Sequence, residues 1–143
     1  MTRPHETPIG LRLANASKAV SRAFNDRLAE AGGSVPTWLI LSSLKANERR
    51  TQLELARAVG IEGPTLTRHL DGLEADGLVR RVRGAHDRRA VRVELTPDGE
   101  LLFRRLLRVV IAFNADLTEG VGETELARLR KTLARLESNV RRP

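Results

Sequence analysis

The run Thr51-Gln52-Leu53-Glu54-Leu55-Ala56-Arg57-Ala58-Val59-Gly60-Ile61-Glu62-Gly63-Pro64-Thr65-Leu66-Thr67-Arg68-His69-Leu70-Asp71-Gly72-Leu73-Glu74-Ala75-Asp76-Gly77 decides the fold, because it encodes two short helices joined by a tight turn. Thr51 and Glu54 have the spacing of a capping box, in which the threonine oxygen accepts from an amide three residues on and the glutamate reaches back. Leu53, Ala56 and Val59 follow at helical spacing, and Gly60 is placed to end the helix in a left-handed conformation. Ile61 then turns inward. Glu62-Gly63-Pro64 opens the second helix, where proline is tolerated because first-turn amides lack intrahelical partners. Leu66, Leu70 and Leu73 form its apolar face. The opposite face carries Thr65, Thr67, Arg68 and His69, near the end that enters the major groove in helix-turn-helix proteins. Gly77 stops the helix.

Working outward, Val91-Arg92-Val93-Glu94-Leu95 alternates apolar and polar, the pattern of a half-buried strand, and Leu78 to Arg83 supplies an antiparallel partner. The connection Gly84-Ala85-His86-Asp87-Arg88-Arg89-Ala90 is then the tip of a wing. From Arg80 to Arg92 there are six arginines (80, 81, 83, 88, 89, 92) and one acid, Asp87, so the hairpin carries a concentrated positive field. A single arginine on an exposed strand serves solubility; a cluster beside a helix-turn-helix points to phosphate. The expected DNA contacts are Thr51, Gln52, Pro64, Thr65, Thr67, Arg68, His69, Arg83, His86, Arg88 and Arg89. Arg68 is expected to discriminate bases, and Arg88 and the strand arginines to grip phosphates.

These residues resemble the MarR (multiple-antibiotic-resistance regulator) family of bacterial winged-helix transcription factors. The resemblance rests on the run from Leu70 to Arg81, on Asp87-Arg88-Arg89, and on Val93-Glu94-Leu95-Thr96-Pro97-Asp98-Gly99; it extends more loosely to Pro36-Thr37-Trp38 and both terminal helices. The wing motif Asp-x-Arg followed by a strand and Leu-Thr-x-x-Gly is the specific part. A helix-turn-helix alone is common to unrelated regulators. By position, Arg89 is similar to the family's wing arginine that reaches the minor groove, with Asp87 orienting it. The chain departs from the family pattern at Glu62, where a serine, threonine or aspartate is usual, and at Gly63-Pro64, which carry no reaching side chain.

The implied architecture is mainly α with a minor α+β element: a single domain over 1–143, with a winged helix-turn-helix at 34–95 and helical dimerisation parts at 6–31 and 97–141. The chain has 143 residues, a length that supports one sizeable core. Its formal charge is +7 and its pI about 11.2, a balance that favours a polyanionic partner. Cysteine is absent, which excludes disulfides, thiolate metal sites and cysteine-based peroxide sensing. No apolar run approaches the ~18 to 20 residues of a membrane span, and the amino terminus lacks a signal core, so a cytoplasmic location is expected.

Both flanks are amphipathic. Apolar residues recur at Ile9, Leu13, Ala16, Val20 and Ala23/Phe24 in a first helix that Gly32-Gly33 ends. At the far end Leu126, Leu129, Leu133, Leu136 and Val140 step by three and four, the seam of a helix packing lengthwise on another. Thr96 caps a long helix with Pro97 at its first position, and the interior of that helix, Leu101 to Leu117, is apolar on more than one face. A monomer with its terminal helices packed on each other is the alternative to a pair. A homodimer is expected, because two identical heads suit a palindromic operator; Ile9, Leu13, Leu126, Leu129, Leu133, Leu136 and Val140 are its candidate interface. The resemblance implies the same dimer.

Enzymatic chemistry finds little support. His5, His69 and His86 fall in three different elements without metal-ligand spacing, no phosphate loop surrounds Gly60, Gly63, Gly72 or Gly77, and Asp71, Glu74 and Asp76 lie along one helix as a solvated face. No metal or cofactor is expected. The expected function is a sequence-specific transcriptional regulator of double-stranded DNA, a repressor of nearby genes. The alternative is a sequence-tolerant architectural DNA binder without an effector. The resemblance further implies a small aromatic or phenolic effector between the dimerisation helices and the winged part. Trp38 falls on the second helix where such a pocket would open, and Lys18 and Arg22, one turn apart, suit an anion. Core packing by the tryptophan and a solvated face for the two cations is the plainer reading.

Overall fold

A computed structural model describes residues 6–47, 50–84 and 90–141. Six helices and three short strands run in the order α1 (Ile9–Glu30), α2 (Val35–Ala46), β1 (Arg50–Thr51), α3 (Gln52–Val59), α4 (Gly63–Ala75), β2 (Val79–Arg83), β3 (Val91–Leu95), α5 (Pro97–Leu117) and α6 (Glu123–Val140). Among the described residues no helix is long and apolar enough to cross a membrane. The chain divides into two compact units, Met1–Ile111 and Ala112–Pro143.

In the first unit, local signals place the helix ends. Ser34 caps α2 by accepting from the Thr37 amide at 3.2 Å. Thr51 and Glu54 close the expected capping box: the Glu54 amide donates to Thr51 Oγ1 at 3.1 Å, and the Thr51 amide donates to Glu54 Oε2 at 3.2 Å. Gly60 ends α3 at a φ of 70°, and Gly77 follows α4 at a φ of 73°. The chain leaves α4 in a Schellman-type turn, with the Leu78 amide donating to the Leu73 carbonyl at 2.9 Å.

The core of this unit is aliphatic. Leu28 of α1, Ile40, Leu41 and Leu44 of α2, Leu55 of α3, Leu66, Leu70 and Leu73 of α4, Val79 and Val93 of the sheet, and Leu102, Phe103 and Leu106 of α5 form one buried cluster. The three leucines expected on the inner face of α4 are all there. In α3 the expectation needs correction: Leu55 is fully buried while Leu53 is 63% exposed. Residues two apart on a helix point to nearly opposite sides, so only one of this pair can face the core. Leu55 shares the inner stripe with Ala56 and Val59, which pack against the cluster.

The sheet has the order β1-β3-β2, all antiparallel. Strand β1, which the sequence did not announce, pairs Arg50 with Val93 and Thr51 with Arg92, so the residue that caps α3 is also tied to the sheet. Strands β2 and β3 pair from Val79 with Leu95 out to Arg83 with Val91. Where β3 runs into α5, the Thr96 hydroxyl donates to the Gly77 carbonyl at 2.6 Å and accepts from the Gly99 amide at 3.0 Å. A Cβ on Gly99 would lie 2.0 Å from the Leu78 carbonyl oxygen, closer than any side chain tolerates. The Leu-Thr-x-x-Gly motif is therefore a packing motif, with threonine for the cap and glycine for the close approach. Gly72 faces open space, and nothing in the structure explains it.

Further along α5, Glu100 accepts from Lys45 of α2 at 2.6 Å and lies 3.6 Å from Arg104. The Lys45 hydrogen bond holds the Glu100 carboxyl below its ordinary value, outweighing desolvation, which pushes the other way, and the charges of Lys45 and Arg104 add to the lowering.

The second unit holds the end of α5, a turn in which Gly120 has a φ of 76°, and α6. No residue of α6 is buried.

Candidate nucleic-acid interface

The face expected to meet DNA is built from the amino ends of α3 and α4 and from the β2–β3 hairpin. On α4, Pro64, Thr65 and Arg68 are exposed and His69 is half-buried. Glu62 occupies the cap position in extended backbone and gives no side-chain cap bond, so its carboxylate stands free at the start of the helix, with no ion pair among the described residues. Thr51 and Gln52 at the start of α3 are half-buried.

Gln52 and Thr67 face each other: Gln52 Nε2 donates to Thr67 Oγ1 at 2.7 Å, and that hydroxyl donates to the Gly63 carbonyl at 3.0 Å. The Thr67 hydroxyl thus has no proton left to give a base or phosphate. Between the two helix starts and the foot of β3 lies an open groove of about 540 Å³, lined by Thr51, Gln52, Leu53, Ala56, Gly63, Thr67, Ala90 and Val91. The first-turn amides of both helices, which carry partial positive charge, border it. Such a groove suits a sugar-phosphate backbone, with apolar wall for deoxyribose and amide dipoles for phosphate.

The arginines of the hairpin separate by face. Arg80, Val82 and Arg92 lie on the outer side, where Arg80 pairs with Glu94 at 3.1 Å. Arg81 lies on the inner side and turns away from solvent: its Nη2 pairs with Asp71 Oδ1 of α4 at 2.5 Å and approaches the Thr67 carbonyl at 3.4 Å, and its backbone amide donates to Glu74 Oε2 at 3.0 Å. The expectation that all the strand arginines grip phosphate is corrected for Arg81, whose guanidinium is committed to α4. Among the described residues Arg83 and Arg92 have no acidic partner and are exposed. The Gly84 amide donates to the Ala90 carbonyl at 3.1 Å and closes the hairpin below its tip. The expected contacts His86, Arg88 and Arg89, and the orienting Asp87, lie outside the described residues.

The residues named for an effector lie on α1 and α2. Trp38 is half-buried and its ring stacks on Phe103, with centroids 5.7 Å apart and an interplanar angle of 3°, a core-packing role. Lys18 and Arg22 are exposed on α1, and the groove described above includes none of the three. Sequence reasoning missed the Asp71–Arg81 pair and the exposed Leu53. A register of Arg81 opposite Val93, which points the arginine inward, was the only signal for the first.

Comparison with known proteins places this geometry. Residues 32–90 match the family model described as the MarR family. Among solved structures, the transcriptional regulator PA3341 is 36% identical over 93% of this chain and 98% of its own, with a TM-score of 0.77. The transcriptional repressor CouR, solved bound to a 23-mer DNA duplex, is 30% identical over 91% of this chain and 92% of its own, with a TM-score of 0.83. A transcriptional regulator of the MarR family from Silicibacter pomeroyi is 30% identical, each chain covered to 88%, with a TM-score of 0.68.

Proposed function

The chain belongs to the MarR family of transcriptional regulators, and from that premise we propose that it is a homodimeric, sequence-specific repressor that binds a palindromic operator beside the genes it controls. One combination carries the reading: Thr65 and Arg68 are exposed on α4, Arg83 is exposed on β2, and an open groove is lined from the starts of α3 and α4. Helix α4 enters the major groove, the backbone runs along the groove beside α3, and the hairpin tip with Arg89, oriented by Asp87, reaches the adjacent minor groove. The likeness to a repressor solved on a DNA duplex supports this placement.

The dimer reading rests on exposed apolar side chains in the flanks, where Ile9 is 66%, Leu129 50% and Val140 78% exposed in the single chain. Covering such residues with a second copy removes apolar surface from water and spaces the heads for half-sites about 10 to 11 base pairs apart. A small aromatic or phenolic effector that disturbs this spacing would release the operator. The release step leans on Trp38, whose ring is only half-buried, and on the exposed cations Lys18 and Arg22.

Selection of bound fragments from genomic DNA, followed by titration of the recovered duplex and a scrambled one, tests the reading. A regulator binds the selected site at least ~10³-fold tighter than the scrambled duplex. Equal affinity for both would replace it with an architectural DNA binder. Quenching of the single tryptophan by phenolic acids, with loss of DNA binding at the same concentrations, tests the effector.

A further inference from the structure

The polar groups on the stripe of α4 beside its buried leucines form one connected chain. It starts at Gln52 of α3, passes through the Thr67 hydroxyl to the Gly63 carbonyl, and resumes from the Thr67 carbonyl to Arg81 of β2, which is also held by Asp71 and Glu74. Thr67 is the junction. Its hydroxyl ties the recognition helix to α3, and its carbonyl, with Asp71 one turn later, ties the same helix to the wing strand. The Arg81 side chain is 21% exposed, and its Nε is buried without an acceptor. A buried donor left unmatched is unfavourable, so the guanidinium is held in this pose by its other contacts rather than by a search for the best hydrogen-bond count.

We propose that Gln52, Thr67 and Arg81 are positioning residues: they fix the recognition helix against α3 and the wing so that all three meet the duplex as one rigid reading surface, and Arg81 does not touch DNA. This inference rests on the proposed DNA-binding function and refines it. It separates the hairpin arginines into one that holds the protein together and others, Arg83 and Arg92, that are open to phosphate. Losing the brace lets helix and wing move independently, and part of the binding free energy is then spent on bringing them back into register.

The test uses the full-length protein, a duplex selected by the wild type from a random pool, and a salt series. Each phosphate contact adds about 0.9 to the slope of log affinity against log salt, so a lost contact is read directly. Arg83→Gln is expected to lower the slope by about one. Arg81→Gln and Thr67→Val are each expected to weaken binding about five- to tenfold with the wild-type slope retained. Asp71→Asn gives the sharpest sign. It makes the protein more positive, so simple electrostatics predicts tighter binding, whereas loss of the brace predicts binding weaker by about fivefold. Asp71 lies on an exposed surface, so this variant stays folded even if Arg81→Gln does not. Wild-type or tighter binding by Asp71→Asn, or a slope loss of about one for Arg81→Gln, would overturn the brace and leave the DNA-binding function standing. Failure of the wild type to select any duplex would overturn both.

Discussion

In the winged head, Leu55, Leu66, Leu70 and Leu106 are wholly buried by neighbours from the same chain, whereas in α6 no residue is buried and Leu129 and Val140 stand open. Helix α1 spans the contrast within itself: Phe24 and Leu28 join the core, while Ile9, Leu11, Leu13 and Val20 are exposed. Both regions have clean amphipathic periodicity, yet only one is closed. Periodicity therefore says that a face will be covered and not by which chain. The head has the makings of a self-sufficient folding unit, and the flanks carry apolar faces that the proposed dimer would cover.

The hardest way to break this contrast is inside the head. Leu70→Ala should cost ~2 to 5 kcal/mol of unfolding free energy, the range for truncating a fully buried leucine, and the loss should be the same at every protein concentration. Denaturant titration at two widely separated concentrations checks both parts. Leu129→Ser, in the flank, should cost about 0.8 to 1.5 kcal/mol per chain through association, half the range for burying a whole leucine because Leu129 is 50% exposed in the single chain. Its signature is a melting temperature that rises with concentration in the wild type and much less in the variant. Sedimentation of the wild type as a stable monomer at micromolar concentration would remove the basis of the contrast.

The next variant acts on the head without touching its stability. Arg68 is exposed on α4, so Arg68→Ala should leave unfolding unchanged while costing ~1 to 3 kcal/mol on the selected duplex and flattening preference at one or two positions per half-site. Equal weakening on scrambled DNA would make Arg68 a backbone contact.

The smallest expected effect is pH-dependent. Because Lys45 holds the Glu100 carboxyl below its ordinary value of 4.5, the pair's contribution is complete above that value and is lost as the pH falls through the lowered one. Lys45→Met should therefore make the acid limb of the stability curve shallower. Its effect at neutral pH should be slight, since both side chains are partly exposed.

How much of this was legible in the sequence follows the range of the interactions. The capping box at Thr51 and Glu54, the left-handed Gly60, the helix stop at Gly77, the Thr96 cap and the inner face of α4 are set by residues within a turn or two, and all were read correctly. Strand β1 was not, because two residues have no period and Arg50 finds Val93 only through the tertiary fold. The choice of Leu55 over Leu53 depends on how α3 lies on α2 and the sheet, which local spacing does not contain. Arg81 was grouped with its charged neighbours because composition counts charges and does not see faces. Of the interface, the exposed Thr65 and Arg68 were evident from the helix pattern, while the Gln52–Thr67 bond turns two expected DNA contacts toward each other.

The corner at Gly99 bears on how such a protein changes through generations of mutation. With a carbonyl oxygen 2.0 Å from where a Cβ would sit, this position admits no alternative residue, and Thr96, bonded on both sides, admits few. Glu62 is the opposite case, a side chain at the start of the recognition helix that caps nothing. Mutation therefore meets unequal resistance along the chain: among the described residues a substitution at residue 62 breaks no side-chain cap bond, whereas any side chain at residue 99 must displace the Leu78 backbone.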